Sequence, residues 1–498
     1  MRACPERSRG ACPERSRGAC PERSRGAVAA LILASAATLA AVQPALPRLQ
    51  SELSAVLDTP ELKRVSWGIE IRSLDRNEVL FTRDSQKLLL PASNEKVITL
   101  ATAAERLGWD YTFTTELSAS GPVDGGVLSG DLVVTGSGDP SLDDWDGKAT
   151  ALFGEWAAEL KAHGISTVTG RVVGDDNRLQ DVVLGSGWAW DDLDRSFATG
   201  VGALQFNQNT ARLVVAPGAS VNDLASIHIE PAGSGLSVKS DVRTSPARGA
   251  LLLETRRGAG SPVLEVRGTI PLTSKPVIRL ASVVNPTLYF VTALRDALMA
   301  AGIEIRGPAV DIDDVTDAAR LDNRTPILSY RSPPLSELAV TMMKMSQNLY
   351  AETVLSAAGG PDAVREQLSR WGIEEGAVVV ADGSGLSRYN MATADAFVAI
   401  LIHVYRDERL RGPFEIALPI AGRDGTLANR MRRTAAAGNA RAKTGAFMNA
   451  RGLAGYVRTA DGEPLVFSIM ANNFAMPANV IERALDAIVV KLAEFSRK

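Results

Sequence analysis

The chain has 498 residues, of which 45% are hydrophobic and 22% are charged, and its formal net charge is −3. This length exceeds one ordinary domain, and the composition excludes a polytopic membrane protein and a mostly disordered chain. The slightly acidic balance argues against a protein that binds nucleic acid through a basic face, so no nucleic-acid partner is expected.

The first 26 residues contain three consecutive copies of ACPERSRG after the opening Met and Arg. An eight-residue period fits neither a helix nor a strand, and every copy carries Pro and Gly. We interpret this segment as a repetitive DNA element translated from an upstream start, with a functional cysteine array as the weaker alternative. All three cysteines of the chain lie in it, so disulfides and thiolate metal sites are excluded from the remainder.

An uncharged stretch rich in Ala and Leu follows at 27–45, with arginine on its N-terminal side. This pattern is typical of a secretory signal cleaved near Ala40 or Ala45, and it predicts export to the periplasm. An uncleaved membrane anchor is the alternative, because the run is nearly long enough to span a bilayer. Its alanine content and Pro44 favour cleavage.

The remaining chain divides into three segments by pattern. Residues 46–115 predict a β-hairpin across 65–81 and then a helix that begins near Ser93. Residues 116–324 are rich in Gly, Val and Thr, and their short alternating stretches predict a β-rich region of two subdomains with few helices. Residues 325–498 predict several helices, three strands and a closing helix whose apolar stripe packs on those strands. The stripe is not expected to lie on a membrane, because the polar face of that helix carries both acidic and basic residues rather than mainly basic ones.

Neither the N-terminal hairpin nor the C-terminal group of strands is large enough to form a stable sheet alone. Joining them predicts an α+β fold with one five-stranded antiparallel sheet flanked by helices. In this interpretation 46–115 and 325–498 form one domain, and 116–324 is a large β-rich insertion.

Common catalytic and cofactor motifs are missing from the sequence. His163, His228 and His403 lie far apart, which argues against a histidine-based triad or a zinc site. Neither G-x-G-x-x-G nor G-x-x-x-x-G-K-[ST] occurs, so nucleotide binding is not indicated. We expect no metal and no cofactor, and a nucleophile in this chain needs a base other than histidine.

Ser93 and Lys96 lie three residues apart at the predicted helix start. Their side chains project from one face, where a desolvated lysine can take the proton of a serine hydroxyl. The helix N-terminus adds positive potential, which favours a neutral lysine and stabilises developing negative charge. One S-x-x-K is expected by chance in a chain of about this size, and a plain N-cap serine with a solvated lysine is the alternative.

Ser346 and Asn348 lie in a polar break between two predicted helices. The hydroxyl of Ser346 is suited to relay a proton toward a leaving group. Asn348 is suited to bind a substrate amide or the lysine. Taken alone, the pair is better explained as helix caps in a turn between the two helices.

A third motif, Lys443-Thr444-Gly445, is predicted in a strand that precedes a tight turn. Lys443 and Thr444 suit the binding of a carboxylate, and Gly445 allows a substrate backbone to approach the strand edge. The backbone N–H of Ala446 can pair with that of Ser93 as an oxyanion hole.

The ordered set S-x-x-K, S-x-N and K-T-G resembles the signature of active-site serine penicillin-recognising enzymes. Ser346 follows Ser93 by 253 residues, and the extra length falls in the β-rich insertion. Together with SQNLYAE, DGSGLSRYN, AGRDGTLANR and AKTGAF, this arrangement resembles the class C low-molecular-mass penicillin-binding proteins. These are D-alanyl-D-alanine carboxypeptidases/endopeptidases of the DacB type, and the resemblance runs from about Leu49 to the C-terminus. It implies a serine β-lactamase/DD-peptidase-like fold.

Within the insertion, GALQFNQN is similar to the S-x-x-F-N-D-N stretch of this family, with Gln208 where Asp is usual. The resemblance implies that this position faces the substrate side chain. The glutamine leaves open which diamino acid of the stem peptide is preferred.

The resemblance implies a periplasmic serine DD-peptidase that removes the terminal D-Ala from peptidoglycan stem peptides or cleaves their D-Ala cross-links. Ser93 would form the acyl-enzyme with Lys96 as base, and Ser346 would relay a proton to the leaving D-alanine. Lys443 and Thr444 would meet the terminal carboxylate, and β-lactam antibiotics would act as covalent inhibitors.

Two alternatives are weaker. A β-lactamase of class A needs a Glu-x-x-x-Asn loop after S-x-N, and none occurs between Asn348 and Lys443. A non-catalytic cell-wall binding protein with a degenerate peptidase domain is disfavoured because all three motifs are intact.

Overall fold

The computed structural model describes residues 44–145, 147–179, 184–321 and 323–498. The predicted repeat and nearly all of the predicted export segment therefore lie outside the described residues. Among the residues that are described, no helix combines the length and the apolar content needed to cross a bilayer.

The segment before the insertion contains two helices and two strands: α1 (Ala45–Leu57), β1 (Ser66–Ser73), β2 (Val79–Arg83) and α2 (Glu95–Leu107).

The chain between α2 and residue 332, which includes the predicted insertion, contains fifteen of the strands in the described chain and two of its helices. In chain order they are β3 (Thr114–Ser120), β4 (Val123–Asp124), β5 (Val127–Leu128), β6 (Asp131–Gly136), α3 (Lys148–Ala162), β7 (Thr167–Val168), β8 (Val172–Asp175), β9 (Thr210–Ala216), β10 (Ser226–Glu230), β11 (Ser237–Ser245), β12 (Leu252–Arg256), β13 (Val263–Pro271), β14 (Val277–Ser282), α4 (Pro286–Ala300), β15 (Glu304–Ile305), β16 (Ala309–Asp311) and β17 (Thr325–Arg331).

The C-terminal segment is mainly helical until its last three strands. Its elements are α5 (Leu335–Lys344), α6 (Asn348–Ala357), α7 (Gly360–Arg370), β18 (Val378–Val379), β19 (Met391–Ala392), α8 (Ala394–Arg406), α9 (Glu408–Ala417), β20 (Arg441–Phe447), β21 (Ala450–Arg458), β22 (Pro464–Asn472) and α10 (Ala478–Glu494).

Strands from the two ends of the chain form one five-stranded antiparallel sheet in the order β2-β1-β22-β21-β20. β1 and β22 join the two segments, with Ile69 opposite Ile469. The predicted shared sheet and α+β fold are therefore confirmed. All nine residues of β22 are buried, as expected for a central strand covered on both faces.

Helices cover both faces of this sheet. Val466 and Met470 of β22 face a hydrophobic cluster with α2, α5, α6, α8 and α9, whereas Phe467 and Ile469 face a cluster with α1 and α10. The alternation follows from the two-residue period of a strand. The apolar stripe of α10 packs in the second cluster, as the sequence predicts. α2 is the central helix of the first cluster, because its residues from Glu95 to Ala104 are all buried.

The insertion is built from several smaller sheets. The largest has the order β16-β8-β6-β3-β17, and two three-stranded sheets have the orders β10-β9-β14 and β11-β13-β12. β17, which begins at the predicted boundary near 325, pairs with β3 rather than with the peptidase sheet. The predicted boundaries and the division into two subdomains stay predictions.

The insertion has more helix than its Gly-, Val- and Thr-rich composition indicates. α3 and α4 each contain 15 residues, and they pack together through Phe153 and Phe290, whose ring centroids lie 5.7 Å apart. α3 buries Ala149, Phe153, Trp156 and Leu160. This spacing is typical of the apolar face of a helix. The average composition of the region does not indicate it, because residues that favour strands predominate there.

Candidate active site

Ser93 lies in a short 3-10 turn, Ala92–Asn94, that leads directly into α2. The turn begins with Ala92 at a φ of +48°, a left-handed conformation that is costly for a residue with a Cβ and is characteristic of functional sites. Ser93 is partly exposed, whereas Asn94 is completely buried. The strained turn thus presents the serine hydroxyl at the surface of an otherwise buried helix start.

Lys96 is completely buried, and its Nζ atom has three hydrogen-bond partners. It lies 3.2 Å from Oγ of Ser93, 2.7 Å from Oδ1 of Asn348 and 2.7 Å from the carbonyl oxygen of Ser384. In the neutral amine, two hydrogens can donate to Asn348 and Ser384. The nitrogen lone pair then remains for the hydroxyl of Ser93.

Burial lowers the pKa of Lys96 from its ordinary value to about 8, against the opposing effect of the acidic groups Glu352, Asp382 and Glu95. Burial disfavours the charged ammonium, and the nearby carboxylates favour it. A lysine with this pKa is partly neutral near physiological pH. It can therefore accept a proton from Ser93, which an ordinary surface lysine cannot do to the same extent.

Ser346 occupies the break between α5 and α6, at a φ of +58°. Its Oγ accepts a hydrogen bond from Nζ of Lys443 at 2.8 Å. Gln347 caps α6 by accepting from the backbone N–H of Leu349. Asn348, the first residue of α6, is therefore held at a rigid helix start, with Oδ1 toward Lys96.

Lys443 is completely buried on β20. Burial, followed by the positive charge of Lys96, holds the pKa of Lys443 well below its ordinary value. Its Nζ donates to Ser346 and to the carbonyl oxygen of Thr444, the latter at 2.9 Å. Two buried positive charges repel each other, so the state in which both lysines are protonated is disfavoured. The two lysines therefore titrate as a coupled pair.

Gly445 lies on β20 where the strand passes the serine turn. A Cβ atom at this position would lie 2.4 Å from the carbonyl oxygen of Pro91 and 2.5 Å from Oδ1 of Asn94. Gly452, its partner on β21, is similarly close to Asn94. The sequence interpretation linked Gly445 to the approach of a substrate, and the structure adds a second reason. Without a side chain here, the serine turn can pack directly on the sheet.

The remaining predicted residues lie beside this glycine. Thr444 is partly exposed, and its Oγ1 donates to Oγ1 of Thr426 at 2.8 Å. Ala446 is exposed. The structure thus forms two hydrogen-bonded groups, Lys96 with Ser93 and Asn348, and Lys443 with Ser346. The charge of Lys96 acts on Lys443, so the two groups belong to one site, with the exposed end of β20 beside it.

None of the three histidines belongs to this group. His163 contacts the carbonyl oxygen of Glu159 in its own helix, and His228 pairs with Glu230. His403 packs against Trp371, with ring centroids 4.5 Å apart.

The loop at 382–390 was part of the sequence resemblance, but no individual role was predicted for its residues. Asp382 is buried and accepts hydrogen bonds from the backbone of Gly385 and Ser387 and from the side chain of Asn390. An aspartate that precedes Gly-Ser-Gly is a recognisable turn signal. The contact of the Ser384 carbonyl with Lys96 has no such signal, because any residue supplies a backbone carbonyl.

The insertion also reaches the site. The carbonyl oxygen of Phe197 accepts from Nδ2 of Asn348 at 2.7 Å, and the indole of Trp188 donates to Asp382 at 2.9 Å. Gln208, at a φ of +54°, accepts a hydrogen bond from the side chain of Gln347. The insertion therefore contacts Gln347, Asn348 and the loop behind Lys96.

Known proteins resemble this chain over most of its length. The model of the D-Ala-D-Ala carboxypeptidase 3 (S13) family matches residues 49–495. A D-alanyl-D-alanine carboxypeptidase of Actinomadura sp. (strain R39) is 32% identical over 474 residues, which are 91% of this chain and 85% of the relative. D-alanyl-D-alanine carboxypeptidase DacB of Haemophilus influenzae is 27% identical over 429 residues, covering 82% of this chain and 85% of the relative.

A solved structure shows the same fold. The crystal structure of penicillin binding protein 4 (dacB) from Haemophilus influenzae superimposes with a TM-score of 0.76 at 26% sequence identity. The match covers 87% of this chain and 98% of the crystallised chain.

Proposed function

The chain belongs to the D-Ala-D-Ala carboxypeptidase 3 (S13) family and is a serine DD-peptidase, and from this premise we propose which residues perform the reaction. Ser93 is the nucleophile, and Lys96 is the general base. The observation that carries this assignment is the set of three hydrogen-bond partners around the buried Nζ of Lys96. Two of them can take its hydrogens and the third is the hydroxyl to be activated.

Acylation begins when Lys96 takes the proton from Oγ of Ser93. The oxygen attacks the carbonyl carbon between two D-alanine residues of a stem peptide. Backbone N–H groups of Ser93 and Ala446 stabilise the oxyanion that forms, and each such donor is typically worth about 10²–10³ in rate.

Departure of the terminal D-alanine requires a proton on its nitrogen. Ser346 delivers this proton, because its Oγ lies next to the Nζ of Lys443 and can be reprotonated from it. Lys443 and Thr444 also bind the terminal carboxylate of the substrate. Lys96 then gives up the proton it took from Ser93, and Lys443 regains the one it lost, by exchange through solvent. Water attacks the acyl-enzyme with the neutral Lys96 again as base, and the proton passes to Oγ of Ser93 as the shortened peptide leaves.

The substrates are proposed to be peptidoglycan stem peptides, either with a terminal D-alanine or in D-Ala cross-links. β-Lactams are proposed to acylate Ser93 covalently, which is supported by the match to a solved protein named a penicillin binding protein. An export signal in 27–45 and a periplasmic location complete the proposal. Both rest on the sequence pattern.

Mass spectrometry of defined muropeptides tests this function. Pure enzyme is incubated separately with a pentapeptide monomer and with a cross-linked dimer, and Ser93→Ala is the matched control. We expect loss of one D-alanine from the monomer, conversion of the dimer to monomers, or both, and neither reaction in the control. A penicillin adduct of one molecule per chain should form on the wild type and persist. Rapid turnover of a chromogenic β-lactam would instead indicate a β-lactamase, and no adduct and no hydrolysis would indicate a degenerate site.

A further inference from the structure

We propose that Glu352 is a positioning residue for Lys96, because it holds the Gly383–Ser384 peptide so that the Ser384 carbonyl receives a hydrogen of the lysine. This inference rests on the assignment of Lys96 as the general base.

Glu352 lies on α6, four residues after Asn348, so both side chains project from one face of the helix. Asn348 contacts Lys96 directly, through Oδ1. Glu352 acts on Lys96 indirectly, through the backbone of the loop that follows β18. A single helix therefore supplies one partner of the lysine and supports another.

The carboxylate of Glu352 binds two successive backbone N–H groups. Its Oε2 accepts from Gly383 at 2.9 Å, and its Oε1 accepts from Ser384 at 2.8 Å. On the other side of this peptide, the carbonyl oxygen of Gly383 accepts from Oγ1 of Thr99 at 2.7 Å. The Ser384 carbonyl is thereby aimed at Nζ of Lys96, 2.7 Å away.

This clamp requires a carboxylate. Two neighbouring N–H donors need two acceptor oxygens, and a glutamate presents both when it is ionised, which for Glu352 is above a pKa of about 8. Glutamine offers one acceptor, and its NH₂ group would face the second N–H donor. Aspartate keeps the charge and both oxygens but is one methylene shorter, so it cannot hold the loop at the same distance from α6.

The charge of Glu352 also acts on the base. Burial is the main cause that raises the pKa of Glu352 to about 8, followed by the negative charge of Asp382. Among the charged neighbours of Lys96, Glu352 has the largest effect in raising the pKa of the lysine. The two groups therefore titrate in the same pH range, and their proton equilibria are linked.

Other charged groups around the pair come from three elements. Glu95 at the start of α2 is buried, and the pKa of its carboxyl is raised well above the ordinary value, chiefly by burial. Asp382 lies in the loop itself, and Lys443 approaches from β20. Glu352 and Asp382 raise the pKa of Lys96 more than Glu95 does.

The test compares Glu352→Gln with Glu375→Gln, an exposed glutamate, in the full enzyme. The measurement is the second-order rate constant for acylation by a chromogenic β-lactam across about pH 5 to 10. We expect Glu352→Gln to lower the plateau rate about tenfold or more. The rising limb should move about half a pH unit or more to lower pH, because loss of the negative charge lowers the pKa of Lys96. The control should superimpose on the wild type.

A lower rate with the limb at the wild-type pH would overturn the inference, since a merely structural residue gives that result. Unchanged rate and pH profile would overturn it as well. If Glu352→Gln does not fold, Glu352→Asp decides: we expect a lower rate with the limb near the wild-type pH, and a wild-type rate contradicts the clamp. Failure of the proposed function is distinguishable, because then the wild type itself forms no adduct or Lys96→Arg acylates normally.

Discussion

The peptidase sheet and the β11-β13-β12 sheet of the insertion bury their strands to very different degrees. In the peptidase sheet, β22 is buried at all nine positions between two helical layers. In the insertion, β11 alternates between exposed and partly buried positions over most of its length, and the sheet to which it belongs shares a core of only seven buried residues. A thick, doubly covered core can remove lysine side chains from water, whereas a thin one cannot.

This difference explains where the chemistry lies. Both lysines of the site are completely buried, and burial is the largest cause of the lowered pKa of each. The insertion contributes contacts rather than titrating groups: the Phe197 carbonyl, the Trp188 indole and the Gln208 amide. We infer that changes in the peptidase part affect reactivity, and that changes in the insertion affect alignment.

Ser93→Ala should show the largest effect. Covalent labelling by fluorescent penicillin should disappear, because no nucleophile remains. Thermal stability should change by no more than about 1 kcal/mol, since the side chain of Ser93 makes no helix-capping hydrogen bond. Gel fluorescence and thermal melting measure the two quantities. Labelling that survives in this variant would identify a different nucleophile.

Lys96→Arg and Lys443→Arg should separate the two buried lysines. Arginine stays protonated and cannot act as a base, so Lys96→Arg should lose about 10³-fold or more in acylation rate. Lys443→Arg should lose less, about 10- to 100-fold, because charge and hydrogen bonding remain.

The pH profile of the wild type supports the same distinction. Since the neutral amine is the active form and the pKa of Lys96 is lowered to about 8, acylation should rise as the pH increases through that value. Stopped-flow kinetics with a chromogenic β-lactam measures it. A wild-type rate in Lys96→Arg would show that the proton acceptor lies elsewhere.

A pair of Gly→Ala changes compares the two parts directly. Gly445→Ala places a methyl group against the Pro91 carbonyl and Asn94, so we expect a loss of about 1–3 kcal/mol in unfolding free energy and slower acylation. Gly154→Ala, on α3 of the insertion, meets no atom within 4 Å. It should stabilise the protein by about 0.5–1 kcal/mol, because alanine favours a helix. Urea unfolding of both variants measures this, and equal effects would contradict the proposed close approach of β20 to the serine turn.

Trp188→Phe should have the smallest effect. It removes the indole hydrogen bond to Asp382, which keeps its three other donors, so we expect a loss of about 0.5–1.5 kcal/mol. Acylation should slow by only a few-fold. Trp190→Phe is the control, since Trp190 is 78% exposed. Thermal melting that shows identical stability for both variants would mean that the insertion does not brace the loop at 382–390.

Some features of the fold and the site could be predicted from the sequence because the pattern that indicates each of them lies within a single element. The apolar stripe of α10, the alternation of the N-terminal hairpin and the three-residue spacing of Ser93 and Lys96 each lie within one element. The helices α3 and α4 were missed because the Gly, Val and Thr content of the surrounding strands dominates the composition. The support from Ser384 and Phe197 gave no signal, since both act through backbone carbonyls.

The sequence by itself determined the residue types, their order and the helix-start, interhelix and strand contexts of the three motifs. Only the tertiary structure decided that Asn348 and Ser384 bind a lysine more than 250 residues from the first of them, and that this lysine and Lys443 act on each other through their charges. The burial of Lys96 was likewise decided only by the tertiary structure. The physical reason is that a lowered lysine pKa depends on desolvation and on charges that approach from other elements. Both are produced when the two ends of the chain close one sheet beneath the same layer of helices.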